Sequence, residues 1–487
     1  MCGIVGMVGQ GPVNQDIYDS LLLLQHRGQD STGIATAGEG GVFHIAKARG
    51  QVREAFRTRD MRSLMGNYGL GHVRYATSGL AAGSEEEAQP FYVNAPYGIV
   101  LVHNGNLTNT RELTNELFHT DRRHLNTTSD TELLVNVLAN ELQASINGVD
   151  LDPAQVFQAV TRVHERVEGS YAAIALISGH GLVAFRDPFG IRPLILGTRQ
   201  CPTGGYEWVV ASESLVLENA GFDVVRDVMP GEAVFVDLEG NLHTQQCSPD
   251  AKLIPCAFEY VYLARPDSEM NGISVYEARL RMGERLADTI AKHTDIADID
   301  VVMPIPDSSR PSAMQVARKL GIEYREGFHK NHYVGRTFIM PGQAVRKKSV
   351  RQKLNAMSSE FKGKHVLLID DSIVRGTTSK EIIQMARDAG AKTVTFASAA
   401  PPVRYPHVYG INMPSRHELI AHDRTIPEIA AVLGADHLVF QEVEDLKAAI
   451  IEGSEIEDLD MSCFDGRYVT GTVTEEYLRW VEGTHTS

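Results

Sequence analysis

Past residue 275 the chain settles into an alternation that leaves few folds open. Helical patterns of ten or more residues, Val275 to Ala291, Pro311 to Leu320 and Ser379 to Ala389, alternate with compact apolar runs at Asp300 to Ile305, His365 to Ile369 and Thr393 to Ala399. Strand–helix alternation of this kind builds a parallel sheet covered by helices, an α/β arrangement. The first half differs. Short apolar runs bounded by Gly, Asn and Pro recur at Cys2 to Val8, Leu70 to Thr77, Gly98 to His103, Ala172 to Ser178, Leu182 to Phe185 and Glu207 to Ala211. They read as strands of extended sheets, with Val228 to Phe235 and Leu242 to Thr244 as closing strands. Helical patterns at Gln15 to Gln25, Thr131 to Gln143 and Ala154 to Val167 interleave, so this half is α+β. Polar Gln245 to Ala251 reads as a connector, which puts the boundary near Gln245 to Pro255. From Gln441 the chain turns acidic, with helical pieces at Val443 to Glu452 and Thr474 to Val481 whose charges read as a solvated face.

The 487 residues carry 46 Lys plus Arg and 62 Asp plus Glu, a formal charge of −16. At ~150 residues per domain that length suggests about three domains or two large ones. The acidic balance argues against sequence-independent binding to nucleic acid or to an anionic membrane, which needs a net basic surface. No run approaches the ~18 apolar residues of a membrane helix, and the start lacks the pattern of a signal peptide. Five Cys in so long a chain do not form a disulfide framework. A soluble cytoplasmic protein with reduced thiols is expected.

The chain opens MCGIVG. Removal of the initiator Met, which a small second residue permits, leaves Cys2 with a free α-amine. Near neutral pH a useful fraction of such an amine is unprotonated while most of a thiol keeps its proton. The amine takes that proton directly or through one water, so one residue supplies both nucleophile and base. Three further segments bear on this. GHVRYAT (71–77) is an apolar strand carrying Arg74, which alone would equally be a surface ion pair. HNGNL (103–107) follows the apolar run GIVLV. Its Asn104 amide and Gly105 N–H are the donors an oxyanion hole needs, although Asn-Gly is also a strong turn signal. TSDTE (128–132) puts Asp130 near a helix start, where spacing alone suggests an N-cap or first-turn carboxylate. Together these groups suit a free amino acid: Arg for the α-carboxylate, Asp for the α-ammonium, and Asn and Gly for a developing oxyanion.

MCGIVG, LQHRGQDSTGI, GHVRYAT, HNGNL and TSDTE together resemble the class II glutamine amidotransferase domain over about residues 2 to 240. The resemblance implies an N-terminal-nucleophile αββα sandwich, with two antiparallel sheets between helical layers. It also implies Cys2 as nucleophile, Arg74 and Asp130 as glutamine-binding residues, and Asn104 and Gly105 as the oxyanion hole.

In the second half, VLLIDDSIVRGTT (366–378) is an apolar strand ending in two adjacent carboxylates, then a short loop, then a helix. Thr378 and Glu381 have capping-box spacing, and Gly390 is a natural stop. The loop delivers N–H groups and hydroxyls at a helix N-terminus, where phosphate is favoured, at the strand ends where open α/β sheets bind ligands. Asp370 and Asp371 could hold ribose hydroxyls or a hard metal such as Mg²⁺; taken alone, such a pair is also a solvated turn. The chain has no GxxxxGK[ST], so this is not an ordinary nucleotide P-loop. A second strand–loop–helix, VVMPIPDSSRPSA (301–313), offers the loop Asp307 to Ser309. Between them, residues 330–355 carry Arg336, Arg346, Lys347, Lys348, Arg351 and Lys353. This reads as a solvated basic loop or as a lid that excludes water from an activated substrate.

The 366–378 stretch resembles the phosphoribosyl pyrophosphate signature of type I phosphoribosyltransferases. The resemblance implies a parallel-sheet domain that holds this substrate with Asp370, Asp371, Ser372, Arg375, Gly376, Thr377 and Thr378, helped by Lys330 and Arg336. It places pyrophosphate at Asp307 to Ser309 and one Mg²⁺ per subunit near Ser308, Asp370 and Asp371. The order of the two halves, with FEYVYLARPDS (258–268) and YVGRTFIMPGQ (333–343), resembles the amidophosphoribosyltransferase family. This implies a glutaminase domain over 2–245, a phosphoribosyltransferase domain over 256–440 and a C-terminal helical extension over 441–487. The implied reaction is ammonia transfer from glutamine to phosphoribosyl pyrophosphate, giving 5-phosphoribosylamine at the first step of purine biosynthesis. Some members carry a [4Fe–4S] cluster, which needs four Cys thiolates. Cys256 and Cys463 fall near two of those positions, PPVRYPHVYGI (401–411) has no Cys, and no propeptide precedes Cys2, so the cluster-free branch is expected. Cluster-free relatives often have Thr where Ser308 stands, which keeps the hydroxyl. A homo-oligomer with homotetramer favoured, feedback by purine nucleotides, and a shielded ammonia path under the closed 330–355 segment are also implied. A sugar-aminating or asparagine-forming amidotransferase would share the first half but not the DDSIVRGTT loop. A non-enzymatic nucleotide sensor that binds RNA would not need Cys2 and its glutamine-binding set.

Overall fold

Side chains that alternate between two apolar layers organise the first half. A computed structural model of the chain describes residues 2–38, 40–75, 85–148, 151–331, 353–413 and 415–486. A seven-stranded antiparallel sheet runs in the order Asp223–Asp227, Ile195–Gln200, Tyr206–Ala211, Gly3–Val8, Tyr68–Arg74, Ser31–Ala37, Phe43–Arg49. A six-stranded antiparallel sheet runs Leu242–Gln246, Glu232–Asp237, Gly181–Arg186, Gly169–Ile177, Ile99–Leu107, Phe91–Val93. Ile4, Val8, Tyr68 and Leu70 meet Val100, Val102, Ile174 and Leu182 between the sheets. The sheets approach most closely where Gly6 sits: a Cβ there would lie 2.6 Å from Ile174 Cγ2. The alternate residues Val5, Met7 and Val73 face outward onto Ile17 and Leu21 of the helix Asn14–Leu23. Leu101, Tyr171 and Phe185 face outward from the second sheet onto the helices Asp130–Ser145 and Pro153–Arg166. The result is the αββα layering that the sequence resemblance implies.

The second half is a five-stranded, wholly parallel sheet in the order Glu323–Tyr324, Val301–Pro304, His365–Asp370, Thr393–Ser398, His437–Phe440. Val302, Leu367 and Ile369 pack on the helices Val275–His293 and Arg310–Leu320. On the opposite face Val301, Val366 and Leu368 pack on the helices Thr377–Asp388 and Ile426–Leu433. Among the described residues no helix is long and apolar enough to cross a membrane.

The halves share one apolar cluster. The outer layer of the first sheet continues through Leu215 and Val216 into Tyr260, Met282, Val408, Tyr409, Leu446 and Phe464. Buried charges cross the same seam. Arg27 Nη2 donates to Glu259 Oε2 at 2.6 Å, and Arg192 Nη1 donates to Glu259 Oε1 at 2.9 Å. Glu213 accepts from the Arg27 guanidinium, from Ser268 Oγ at 2.7 Å and from the Arg265 N–H at 3.0 Å. Glu259, Arg265 and Ser268 all belong to FEYVYLARPDS, so the junction motif is a docking segment.

In the first half, five of the described strands lack a clear sequence signal: Ser31–Ala37, Phe43–Arg49, Phe91–Val93, Ile195–Gln200 and Asp223–Asp227. STGIATA has too little apolar bulk to show period two, because its backbone lies close to a neighbour; a Cβ on Gly33 would stand 2.0 Å from Gln89 O. Phe43–Arg49 and Asp223–Asp227 are edge strands with much of their surface open, so solvent relaxes their pattern. Val228–Phe235 is strand only from Glu232; Val228 to Gly231 turn, with Gly231 at φ +68°. The C-terminal helix Glu475–Thr486 is not simply a solvated face. Glu475 and Glu482 pair with Arg416 at 2.8 and 3.0 Å, and Arg111 lies 5.7 Å from the Trp480 ring.

Candidate functional sites

The pleat brings the first group of candidates to one end of the gap between the sheets. Register pairs Gly3 with Val73, which sets Cys2 beside Arg74. Cys2 is 7% exposed. Its N–H donates to Asn104 Oδ1 at 3.1 Å. That bond orients the buried Asn104 amide and leaves Nδ2 without a hydrogen-bond partner among the described residues. Gly105 has φ +153°, and a Cβ there would fall 2.0 Å from Ser170 O, so no other residue fits the position. Arg74 gives Nη2 to Glu87 Oε2 at 2.5 Å, while Nη1 is buried and unpartnered among the described residues. Thr128 Oγ1 steadies Glu87 from the other side at 3.1 Å.

Asp130 is the first residue of its helix, and the capping role falls to Ser129, whose Oγ accepts the Thr131 N–H at 3.3 Å. Asp130 Oδ2 accepts the Leu107 N–H at 3.2 Å, which ties the carboxylate to the strand bearing Asn104 and Gly105. Tyr477, from the C-terminal helix, hydrogen-bonds Asn106, and burial pushes its phenol up to about 12. So Cys2, Arg74, Asn104, Gly105 and Asp130 converge, and two buried donors stand ready for acceptors.

The second site lies at the carboxyl ends of the parallel strands. Asp370 ends its strand and Asp371 follows, both buried. Asp370 Oδ1 accepts the Asp371 N–H at 3.0 Å, and Asp371 accepts from Ser308 Oγ and from Ser372 Oγ at 2.8 Å. Burial, then the neighbouring Asp371 charge, pushes the Asp370 carboxyl well above its usual range; burial also raises Asp371, against the pull of Ser308, Ser372 and Arg279. The hard oxygens of these two buried, mutually repelling acids, with the Ser308 hydroxyl, suit Mg²⁺ or ribose hydroxyls.

The expected capping box is not what starts the following helix. Gly376 is the N-cap, at φ +75°, and among the described residues no side chain caps the helix, while Glu381 is buried one turn inside. Gly376 is required because any other residue there would be strained, and its Cβ would meet Ile420 Cδ1 at 2.3 Å. The first-turn N–H groups of Thr377 and Thr378 therefore have no intrahelical acceptor and face the loop.

Lys330 Nζ pairs with Asp307 Oδ2 at 2.7 Å, which brings it to the Asp307–Ser309 loop. Arg375 instead pairs with Glu418 at 2.6 Å. Arg336 and most of the 330–355 segment lie outside the described residues. The segment's ends are joined in a ribbon, Phe328–Lys330 against Leu354–Ala356.

Cys256, His407 and Asp460 meet in the interior, with Cys256 Sγ 3.5 Å and Asp460 Oδ2 3.3 Å from His407 Nε2. The Tyr409 N–H donates to His407 Nδ1 at 3.2 Å, so the ring proton sits on Nε2 and the imidazole is a donor here. Burial pushes the Cys256 thiol up to about 12 and Cys463 upward as well. This is a hydrogen-bonded cluster with one thiol, and among the described residues it does not form the four-thiolate set of an iron–sulfur cluster.

Glu87, Tyr477 and Arg279 escaped the sequence reading. Glu87 and Tyr477 reach the first site from distant segments with no motif of their own. Arg279, buried beneath Asp371, looks in sequence like any charge on an amphipathic helix.

The geometry defines a glutamine amidotransferase joined to a phosphoribosyltransferase. Residues 72–219 match the glutamine amidotransferase domain model and 274–409 the phosphoribosyl transferase domain model. The chain is 56% identical to the amidophosphoribosyltransferase of Pseudomonas aeruginosa, covering 99% of this chain and 95% of the relative. It is 54% identical to that of Escherichia coli over the same shares. Among solved structures, the Bacillus subtilis glutamine phosphoribosylpyrophosphate amidotransferase complexed with ADP and GMP superposes with a TM-score of 0.83 at 35% identity, covering 96% of this chain and 97% of that one. The chain belongs to the amidophosphoribosyltransferase family.

Proposed function

We propose that the chain transfers ammonia from glutamine to phosphoribosyl pyrophosphate, giving 5-phosphoribosylamine, glutamate and pyrophosphate at the first step of purine biosynthesis, with the two sites in these roles. The observation that carries the glutaminase half is the pair of buried donors beside Cys2, Arg74 Nη1 and Asn104 Nδ2, that have no partner among the described residues. Each unmet buried donor costs ~1–3 kcal/mol, which a substrate carboxylate and an oxyanion would offset.

With Met1 removed, the Cys2 amine takes the thiol proton and the sulfur attacks the glutamine side-chain amide. Arg74 holds the α-carboxylate and Asp130 the α-ammonium, while Asn104 Nδ2 and the Gly105 N–H receive the oxyanion. Ammonia leaves, and water hydrolyses the thioester. In the second site Asp370 and Asp371 hold the ribose, and Ser372, Arg375, Gly376, Thr377 and Thr378 surround the 5′-phosphate. Lys330 and Arg336 help hold the substrate. Ammonia forms the new bond at C1 as pyrophosphate departs toward Asp307 to Ser309. Bound at Ser308, Asp370 and Asp371, one Mg²⁺ per subunit would neutralise charge on the departing diphosphate.

We assign 2–245 to the glutaminase, 256–440 to the phosphoribosyl site and 441–487 to an extension that packs its last helix against both. The same reading takes the protein as cytoplasmic, free of an iron–sulfur cluster, homotetrameric and inhibited by purine nucleotides, such as those bound to the B. subtilis relative.

Pyrophosphate release measured with glutamine and phosphoribosyl pyrophosphate, each omitted in turn, tests the scheme. Cys2→Ala should abolish glutamine-dependent turnover and spare turnover with ammonium salt. Equal loss of both would overturn the two-site scheme. Intact mass checks that Met1 is gone.

A further inference from the structure

The two sites are joined by a strap of backbone. The strand Thr393–Ser398 pairs Ser398 with Asp370, and the Ala399 N–H donates to Asp370 O at 2.9 Å. From there the chain crosses to the glutaminase and ends against its oxyanion strand. Asn106 Nδ2 donates to Val408 O at 2.9 Å, and Tyr409 O accepts from Ser170 Oγ at 3.0 Å and Arg192 Nε at 2.8 Å. The Tyr409 hydroxyl is held by Thr470, with Oγ1 at 2.9 Å and the Thr470 N–H at 3.1 Å.

Gly410, at φ +100°, then lies directly on Gly105. A Cβ on Gly410 would stand 2.8 Å from Gly105 O, 2.9 Å from its carbonyl carbon and 3.1 Å from its Cα. A Cβ on Gly105 itself would stand 2.0 Å from Ser170 O. The residue that presents the oxyanion N–H thus has two backbones packed close against it, one of which comes from the other half.

Resting on the reading that Gly105 serves the oxyanion, we propose that Gly410 is a positioning residue for glutamine hydrolysis: it and the 399–410 strap set the Gly105 peptide and tie it to the Asp370 strand. Bulk at 410 pushes the Gly105 peptide out of line, while Arg74 and Asp130, on other elements, keep their hold on the substrate.

The test is Gly410→Ala in the full chain. Loss of one oxyanion donor lowers kcat ~10²–10³-fold, so a displaced one should lower glutamine-dependent kcat about tenfold or more. The KM for glutamine should change less than about threefold, and turnover with ammonium salt should hold within about twofold. Ser170→Ala, which removes the tether to Tyr409 O together with the bond that Ser170 Oγ accepts from the Asn106 N–H at 3.3 Å and adds no bulk, should give a smaller loss of the same kind. An unchanged kcat in Gly410→Ala, or a change confined to KM, overturns the proposal. Should Gly410→Ala lose both activities, Ser170→Ala decides: a loss selective for glutamine supports the strap, and no loss or an equal loss overturns it. If the unaltered protein releases no glutamate from glutamine, it is the glutaminase reading itself that fails.

Discussion

Two buried nitrogens set the chemistry of the first site. Asn104 spends its carbonyl oxygen on the Cys2 N–H, and its amide nitrogen, unpartnered among the described residues, is the donor that the proposed scheme gives to a charge existing only during reaction. A donor held in place before charge develops needs no reorganisation, which is why such groups weigh on kcat. Asn104→Ala should therefore lower glutamine-dependent kcat ~10²–10³-fold with ammonium-dependent turnover retained, as steady-state rates with each nitrogen donor would show. Arg74 differs, because its partner charge is present in the ground state as well. With Nη2 committed to Glu87, the fork presents Nη1 to a carboxylate in a fixed plane. A lysine lacks the planar fork that fixes both partners in one plane. Arg74→Lys should raise the KM for glutamine about tenfold and change kcat less, which glutamine titrations would measure.

At the scale of an element, the Asp370–Asp388 stretch joins a strand, a loop and a helix into the proposed phosphate site. The apolar strand buries its length and releases two acids at its end. Gly376 turns the chain left-handed, and among the described residues no side chain closes the helix N-terminus. Thr-x-x-Glu reads as a capping box because spacing cannot distinguish a helix closed on itself from one left open for a ligand. Gly376→Ala should strain the loop by ~1–2 kcal/mol and swing the first-turn N–H groups away from the phosphate. The KM for phosphoribosyl pyrophosphate should rise about tenfold, while glutaminase activity measured without that substrate stays near its original rate; pyrophosphate and glutamate assays on one preparation check both.

Across the whole molecule the halves behave as one body, because an apolar cluster and a buried charge network cross the seam. Burial works to raise the Glu213 carboxyl, but Arg27 and His26 override it and hold the group well below the usual carboxylate range. A folded pKa below the unfolded value, ~4.3 for Glu, gives stability that is complete above that value and is lost as pH falls toward the folded one. Glu213→Gln leaves Arg27 short of a buried partner and should cost ~3–5 kcal/mol at pH 7. In urea titrations from about pH 5 down to about pH 3, the unaltered protein should lose more of its midpoint on acidification than the variant does. A variant midpoint equal to the original at pH 7 would show that the seam does not depend on this charge.

Sequence alone determined the two architectures and the order of the halves, and it supplied the proposed nucleophile, acids and phosphate loop. Each of these is written in a short contiguous stretch, since a strand end, an Asn-Gly step or a glycine loop needs only its neighbours in the chain. Tertiary structure decided the rest: that Asn104 turns its amide oxygen to the Cys2 N–H, that Glu87 steadies Arg74, that Tyr477 closes on Asn106, that Gly410 lies on Gly105. Those pairings join segments far apart in the chain, and a contact between two ordinary residues leaves no pattern in either until packing brings them together.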